Sequence, residues 1–190
     1  MQTSSFSQTR MRAGSLPNAT FTVLATTISF QAATMTWTIE RVTNENPLRW
    51  SIAEGVFDEA VRLDYVHDFV STPNTFFLVA VADNQVVGMI TGIHYAHPDK
   101  PRQLFIIEVG VDDTWQRRGI GTDLMRRINE LALEAGCVES WVATEEDNHG
   151  ARSLYERTRG SCADDRFVVY GYELGSTSRQ DADNGETACQ

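Results

Sequence analysis

Cysteine is scarce in this chain. Only Cys137, Cys162 and Cys189 occur among 190 residues, far apart and in no Cys-x-x-Cys pair, so neither a disulfide framework nor a zinc site is suggested. That usage fits a reducing, cytoplasmic setting. Basic residues are also few: 16 Lys and Arg stand against 26 Asp and Glu, a formal net charge of −10. A nucleic-acid partner, which needs a basic face to displace counterions, is therefore not expected. The acidity favours a cationic ligand, although it also serves solubility alone. Nor is there a membrane-length apolar run. The stretch ATFTVLATTISFQAA is short and broken by threonines, makes only a poor signal peptide and cannot span a bilayer. Gly-Lys-Ser/Thr and Gly-x-Gly-x-x-Gly phosphate loops are absent. His94 and His97 have no further ligand cluster beside them, so no metal is expected.

Residues 1–34 hold no Asp, Glu or Lys and are rich in Ser and Thr; they read as a disordered or non-native extension before a domain starting at Met35. Residues 175–190 are polar and aperiodic and read as a disordered tail. These segments carry +2 and −2, so the acidity belongs to residues 35–174. Within that domain WTIERVT alternates like a strand, and Pro47 to Val70 reads as one or two helices, Pro47 suiting a first turn. TFFLVAVADNQVVGMITGIHYA is two apolar runs around Asp83 and Asn84, a hairpin. QLFIIEVGVDD is nearly continuously apolar and predicts a strand buried on both faces. Ile120, Leu124, Ile128 and Leu131 recur at helical spacing, with Gly136 as the stop. VESWVAT, NHGARSLYERTR and RFVVYGYEL follow as strand, helix and strand. The order predicts an α/β domain with one mixed sheet.

The junction QRRGIG, Gln116 to Gly121, lies between the apolar strand and the long helix. A helix start carries unpaired N–H groups and partial positive charge, and glycines let the backbone approach an anion. By physics alone the junction suits either a pyrophosphate cradle or an ordinary glycine turn with solvated arginines. Glu108 ends a run of apolar residues, a costly place for a carboxylate unless it is functional or ion-paired, with Arg102 or Arg166 as candidate partners. Glu145, Glu146 and Asp147 stand together before Asn148, suited both to a polyamine cation and to a helix N-terminus.

VGVDDTWQRRGIGTDLM resembles the acetyl-CoA-binding motif of the GNAT superfamily of N-acetyltransferases, with Gln116, Gly119 and Gly121 in its Gln/Arg-x-x-Gly-x-Gly/Ala pattern. NHGARSLYE resembles that family's second motif at Asn148, Ala151, Leu154 and Tyr155. The order of elements from Trp37 to Leu174 also matches, implying the GNAT fold: a mixed, mostly antiparallel sheet flanked by helices. One departure stands out: Gly160 comes one position late, and no aromatic follows it. The resemblance implies acetyl-CoA as cosubstrate, its pyrophosphate on the backbone of Arg117, Arg118, Gly119, Ile120, Gly121 and Thr122. The pantetheine arm would lie on Val109, Gly110 and Val111, with Asn148 bonding it and Ala151 beside it.

Catalysis by direct transfer would use Glu108 as base and Tyr155 as the acid for the departing thiolate. The alternative for Tyr155 is a half-buried helix tyrosine bonding a carbonyl. The whole is similar to aminoglycoside 3-N-acetyltransferases of the GNAT type. That likeness implies a cationic small-molecule amine as substrate, antibiotic resistance as outcome, and Glu108, Glu145, Glu146, Asp147 and Asp64 near the acceptor. A polyamine, amino acid or protein amine is the alternative acceptor, and a non-catalytic acyl-CoA sensor or subunit the alternative class. Homodimers are common among similar proteins; no interface is legible in this sequence.

Overall fold

The computed structural model describes residues 36–162, 168–172 and 174. The expected extension 1–34 and tail 175–190 lie outside the described residues. Six strands form one sheet: β1 (Thr38–Arg41), β2 (Ser51–Ile52), β3 (Thr75–Ala82), β4 (Gln85–Tyr95), β5 (Gln103–Val111) and β6 (Glu139–Trp141). Among the described residues three helices flank it: α1 (Leu63–Ser71), α2 (Ile120–Glu134) and α3 (His149–Arg157). The sheet order is β1-β3-β4-β5-β6, and β2 pairs in parallel with the start of β4 beyond the end of β5. The expected mixed α/β sheet is present.

Two apolar clusters sandwich this sheet. Leu124, Ile128 and Leu131 of α2 pack with Leu78, Ile90, Leu104 and Ile106, while Phe77, Val79, Val86 and Met89 meet Val56 and the α1 residues Val66, Phe69 and Val70. β3 is buried from Phe76 to Ala82 and β4 from Val86 to Ile90, which explains their continuous apolar runs. Their hairpin turns on two residues, Asp83 and Asn84, with φ of 48° and 62°, the left-handed pair that matches strand twist.

Three expectations are corrected. No helix starts at Pro47: Ser51–Ile52 pair with Gln85–Val86, Ala53 N–H donates to the Val86 carbonyl, and Gly55 takes φ of 85°. Strand pairing thus overrides helical spacing, and the only helix in this stretch starts at Leu63. β5 is not buried on both faces, because Ile107 is 46% exposed and Glu108 only half-buried. The expected last strand, Arg166 to Leu174, is partly outside the described residues; Val168–Tyr172 make no ladder and leave Val168, Val169, Tyr170 and Tyr172 exposed.

The helix stop preceding that segment shows why the late glycine matters. Gly160 N–H donates to the Tyr155 carbonyl and Arg159 N–H to that of Glu156, a Schellman arrangement. The left-handed position of that motif falls on Arg159, with φ of 71°, rather than on a glycine.

Candidate functional site

β5 is where the candidate residues meet. It pairs with β4 along its length, but β6 covers only Gln103, Leu104 and Phe105. From Ile106 to Val111 the β5 edge away from β4 carries no strand among the described residues, leaving a gap in the sheet where an extended ligand can hydrogen-bond. A bulge sets the side chains. Thr91 pairs with Glu108 and Gly92 with Ile106, so Ile107 is the extra residue. Val109 and Val111 therefore pack toward α2, and Glu108 turns to the α1 side beside Phe105.

Beyond β5 the chain reverses through a 3₁₀ turn, Asp113–Trp115, into α2. Arg117 has φ of 58° and Gly119, the N-cap, φ of 103°. Among the described residues no hydrogen bond is made by the N–H of Arg117, Gly119, Ile120, Gly121 or Thr122. These amides are gathered at the positive end of a 15-residue helix, an arrangement that favours an anion. Two side chains brace it. The Gln116 amide donates to the Val111 carbonyl at 3.1 Å and to Asp113 at 2.7 Å, and Arg118 donates to the Thr114 carbonyl at 2.7 Å with its guanidinium 5.1 Å from the centre of the buried Trp115 ring. Trp37, which the sequence did not single out, donates to Asp123 at 3.0 Å and packs beside Gly119. A Cβ on Gly121 would lie 3.1 Å from Leu154, so this glycine brings α3 against the start of α2.

α3 begins at Asn148, whose side-chain oxygen accepts from Ala151 N–H at 3.0 Å. That cap uses the oxygen, and among the described residues the Asn148 amide nitrogen makes no hydrogen bond. Tyr155 is partly buried against the α2-side core, and burial first, then the charge of Glu145, raises its pKa above the ordinary phenol. Among the described residues its hydroxyl makes no hydrogen bond to a carbonyl. Glu145, Glu146 and Asp147 are exposed, and the Glu146 carbonyl accepts from Arg152. Tyr155 and Glu108 thus belong to opposite sides of the sheet, with the open β5 edge between them.

On the α1 side, Glu108 has no cation as a partner among the described residues; Arg102 bonds His94 instead, and Arg166 lies outside the described residues. Burial, and after it the negative charge of Asp58, pushes the Glu108 pKa above the usual carboxylate range. Asp58 sits in the irregular segment that follows β2, where a cleft of about 330 Å³ is lined by Glu54, Phe57, Asp58 and Glu59 among others. Asp64, the acid expected from this region, is tied to Arg62 at 2.6 Å, and that hydrogen bond holds its pKa low. Sequence reasoning took in Asp58 only as the first residue of a segment, Asp58 to Asp68, expected to supply one wall of the acceptor cleft. It also passed over Phe105, Trp141 and Tyr95, whose meeting depends on pairing between β4, β5 and β6.

The chain matches the model of the acetyltransferase (GNAT) family over residues 39–160. It is 31% identical over 106 residues, 56% of this chain, to N-alpha-acetyltransferase 30 of Xenopus laevis, and spans 37% of that protein's length. Among solved structures it resembles an aminoglycoside acetyltransferase from an uncultured soil metagenomic sample in complex with sisomicin, with a TM-score of 0.59 and 20% identity over 73% of this chain and 97% of that one. It also resembles the aminoglycoside N-acetyltransferase AAC(6')-Iy in complex with CoA, with a TM-score of 0.52 and 17% identity over 58% of this chain and 74% of that one. At these identities the two structures bear on the fold alone.

Proposed function

Because the chain belongs to the GNAT family of acetyltransferases, which transfer acetyl groups from acetyl-CoA to amines, we propose that its acceptor is a small cationic amine, specifically an aminoglycoside. The observation that carries this reading is the juxtaposition of Asp58 and Glu108: two carboxylates on one side of the open β5 edge, with no cation paired to Glu108 among the described residues. A polycationic acceptor would neutralise that charge, in keeping with the acidity of the domain.

The residues present fit the cofactor. The amides of Arg117 and of Gly119 to Thr122 suit a pyrophosphate, the uncovered edge from Val109 to Val111 suits the amides of a pantetheine arm, and the Asn148 amide nitrogen stands at the same opening. Bound there, acetyl-CoA supplies the acetyl group as an activated thioester. The chain's own part is proton handling. Glu108, with its raised pKa, accepts the proton that an ammonium must lose before its nitrogen can attack; such a base is worth roughly 10²–10⁴-fold. Tyr155, kept protonated by burial, donates its hydroxyl proton to the sulfur that leaves. Glu145 favours that protonated form, while Glu146 and Asp147 add negative charge near the start of α3.

A second reading, acetylation of a peptide α-amine, is favoured by the 31% identity to N-alpha-acetyltransferase 30. CoA thiol release from acetyl-CoA by the full chain, with gentamicin, kanamycin, spermidine, lysine and a short peptide as acceptors, separates the two. Preferential turnover of the aminoglycosides supports the proposal, and turnover of the peptide alone replaces it with the second reading. Mapping the acetylated nitrogen then tests the 3-N position implied by the sequence resemblance.

A further inference from the structure

Phe105 and Trp141 are direct partners on β5 and β6, and their rings stack with centroids 4.3 Å apart at 26°. The indole N–H of Trp141 donates to the Tyr95 hydroxyl at 2.9 Å, Tyr95 donates in turn to the Gln103 side-chain oxygen at 3.1 Å, and the Gln103 amide donates to Glu139. This chain of bonds crosses three strands and fixes the orientation of a tryptophan that remains 43% exposed. Holding an exposed ring in one place costs side-chain entropy, and its N–H alone would be satisfied by water.

The register says which side of the sheet the ring occupies. Thr91, Ile93 and Tyr95 alternate onto one face of β4 and pair with Glu108, Phe105 and Gln103. Without the Ile107 bulge, Phe105 and Glu108, three residues apart, would point to opposite faces. With it, the aromatic pair and Glu108 share the α1 face, at the end where β6 leaves the β5 edge uncovered. We propose that Trp141, held by Phe105 and Tyr95, is a specificity-determining residue that receives an ammonium-bearing part of the acceptor on its ring, by cation–π attraction, while Glu139 and Glu108 face the remaining positive charge.

The proposal rests on the reading of the acceptor as a cationic amine, so its test measures binding separately from turnover. The full chain saturated with CoA is titrated calorimetrically with gentamicin and, in a second arm, with a short peptide bearing a free α-amine. At least one probe is expected to bind, with affinity about tenfold weaker in Trp141→Ala, largely restored in Trp141→Phe, and with CoA affinity unchanged in both. The arm that responds identifies the source of the ammonium. Equal affinity of Trp141→Ala and the native chain for every probe, or binding of neither probe by the native chain, would overturn the assignment. Binding that depends on Trp141 without CoA release in the transfer assay would sink the catalytic reading and leave this one standing.

Discussion

Gly110 lies so close beneath Val56 that a Cβ on it would meet the Val56 carbonyl oxygen at 2.1 Å. That approach seats the Ala53–Val61 segment on β5, two residues from Glu108, and so brings Asp58 to the carboxylate. Gly110→Ala is expected to lose about 1–3 kcal/mol of stability, because backbone rather than a flexible side chain must move. Chemical denaturation measures it; an unchanged midpoint would mean that the segment is not seated as described.

The charge of Asp58 on Glu108 gives a pH prediction. A base must be ionised to act, so kcat/KM should fall as pH drops through a Glu108 pKa above the ordinary carboxylate range. Asp58→Asn removes a like charge, favours ionised Glu108 and should move this acid limb to lower pH. A limb that stays in place would detach Asp58 from the chemistry.

Tyr155→Phe keeps the ring and removes the proton. The expected outcome is a fall in kcat of roughly 10²-fold with little change in the KM for acetyl-CoA, measured by initial rates. A rise in KM alone would make Tyr155 a packing or binding residue.

Arg159 holds the left-handed position of the α3 stop, which costs a side chain roughly 1–2 kcal/mol. Arg159→Gly relieves that strain but gives the unfolded chain more freedom. Thermal or denaturant unfolding should therefore show a gain of roughly 0.5–1 kcal/mol, without effect on turnover.

The parts of the fold visible in the sequence are those dictated by local periodicity. The α2 stripe Ile120, Leu124, Ile128 and Leu131 is buried as its spacing requires, and Asp83-Asn84 makes the tight turn its residue types allow. The junction at Gln116 to Gly121 was legible for the same reason, since glycines opening a helix have a local geometric meaning. What was not legible depends on contacts distant in sequence. The helix expected at Pro47 gave way to pairing with β4, which moved the relevant acid from Asp64 to Asp58. The Ile107 bulge, which decides that Glu108, Phe105 and Trp141 share one face, has no signature in QLFIIEVGV. Trp37 reaches Asp123 across 86 positions, a relation no local pattern contains.

The most direct test of the account is kcat/KM for gentamicin, measured from acidic to alkaline pH in the full chain and in Glu108→Gln. The native chain is expected to acetylate gentamicin with an acid limb, and Glu108→Gln to lose roughly 10²–10⁴-fold together with that limb. Equal kcat/KM and the same pH dependence in the two proteins would contradict Glu108 as the base. Absence of turnover in the native chain, alongside turnover of a peptide amine, would contradict the aminoglycoside as its acceptor.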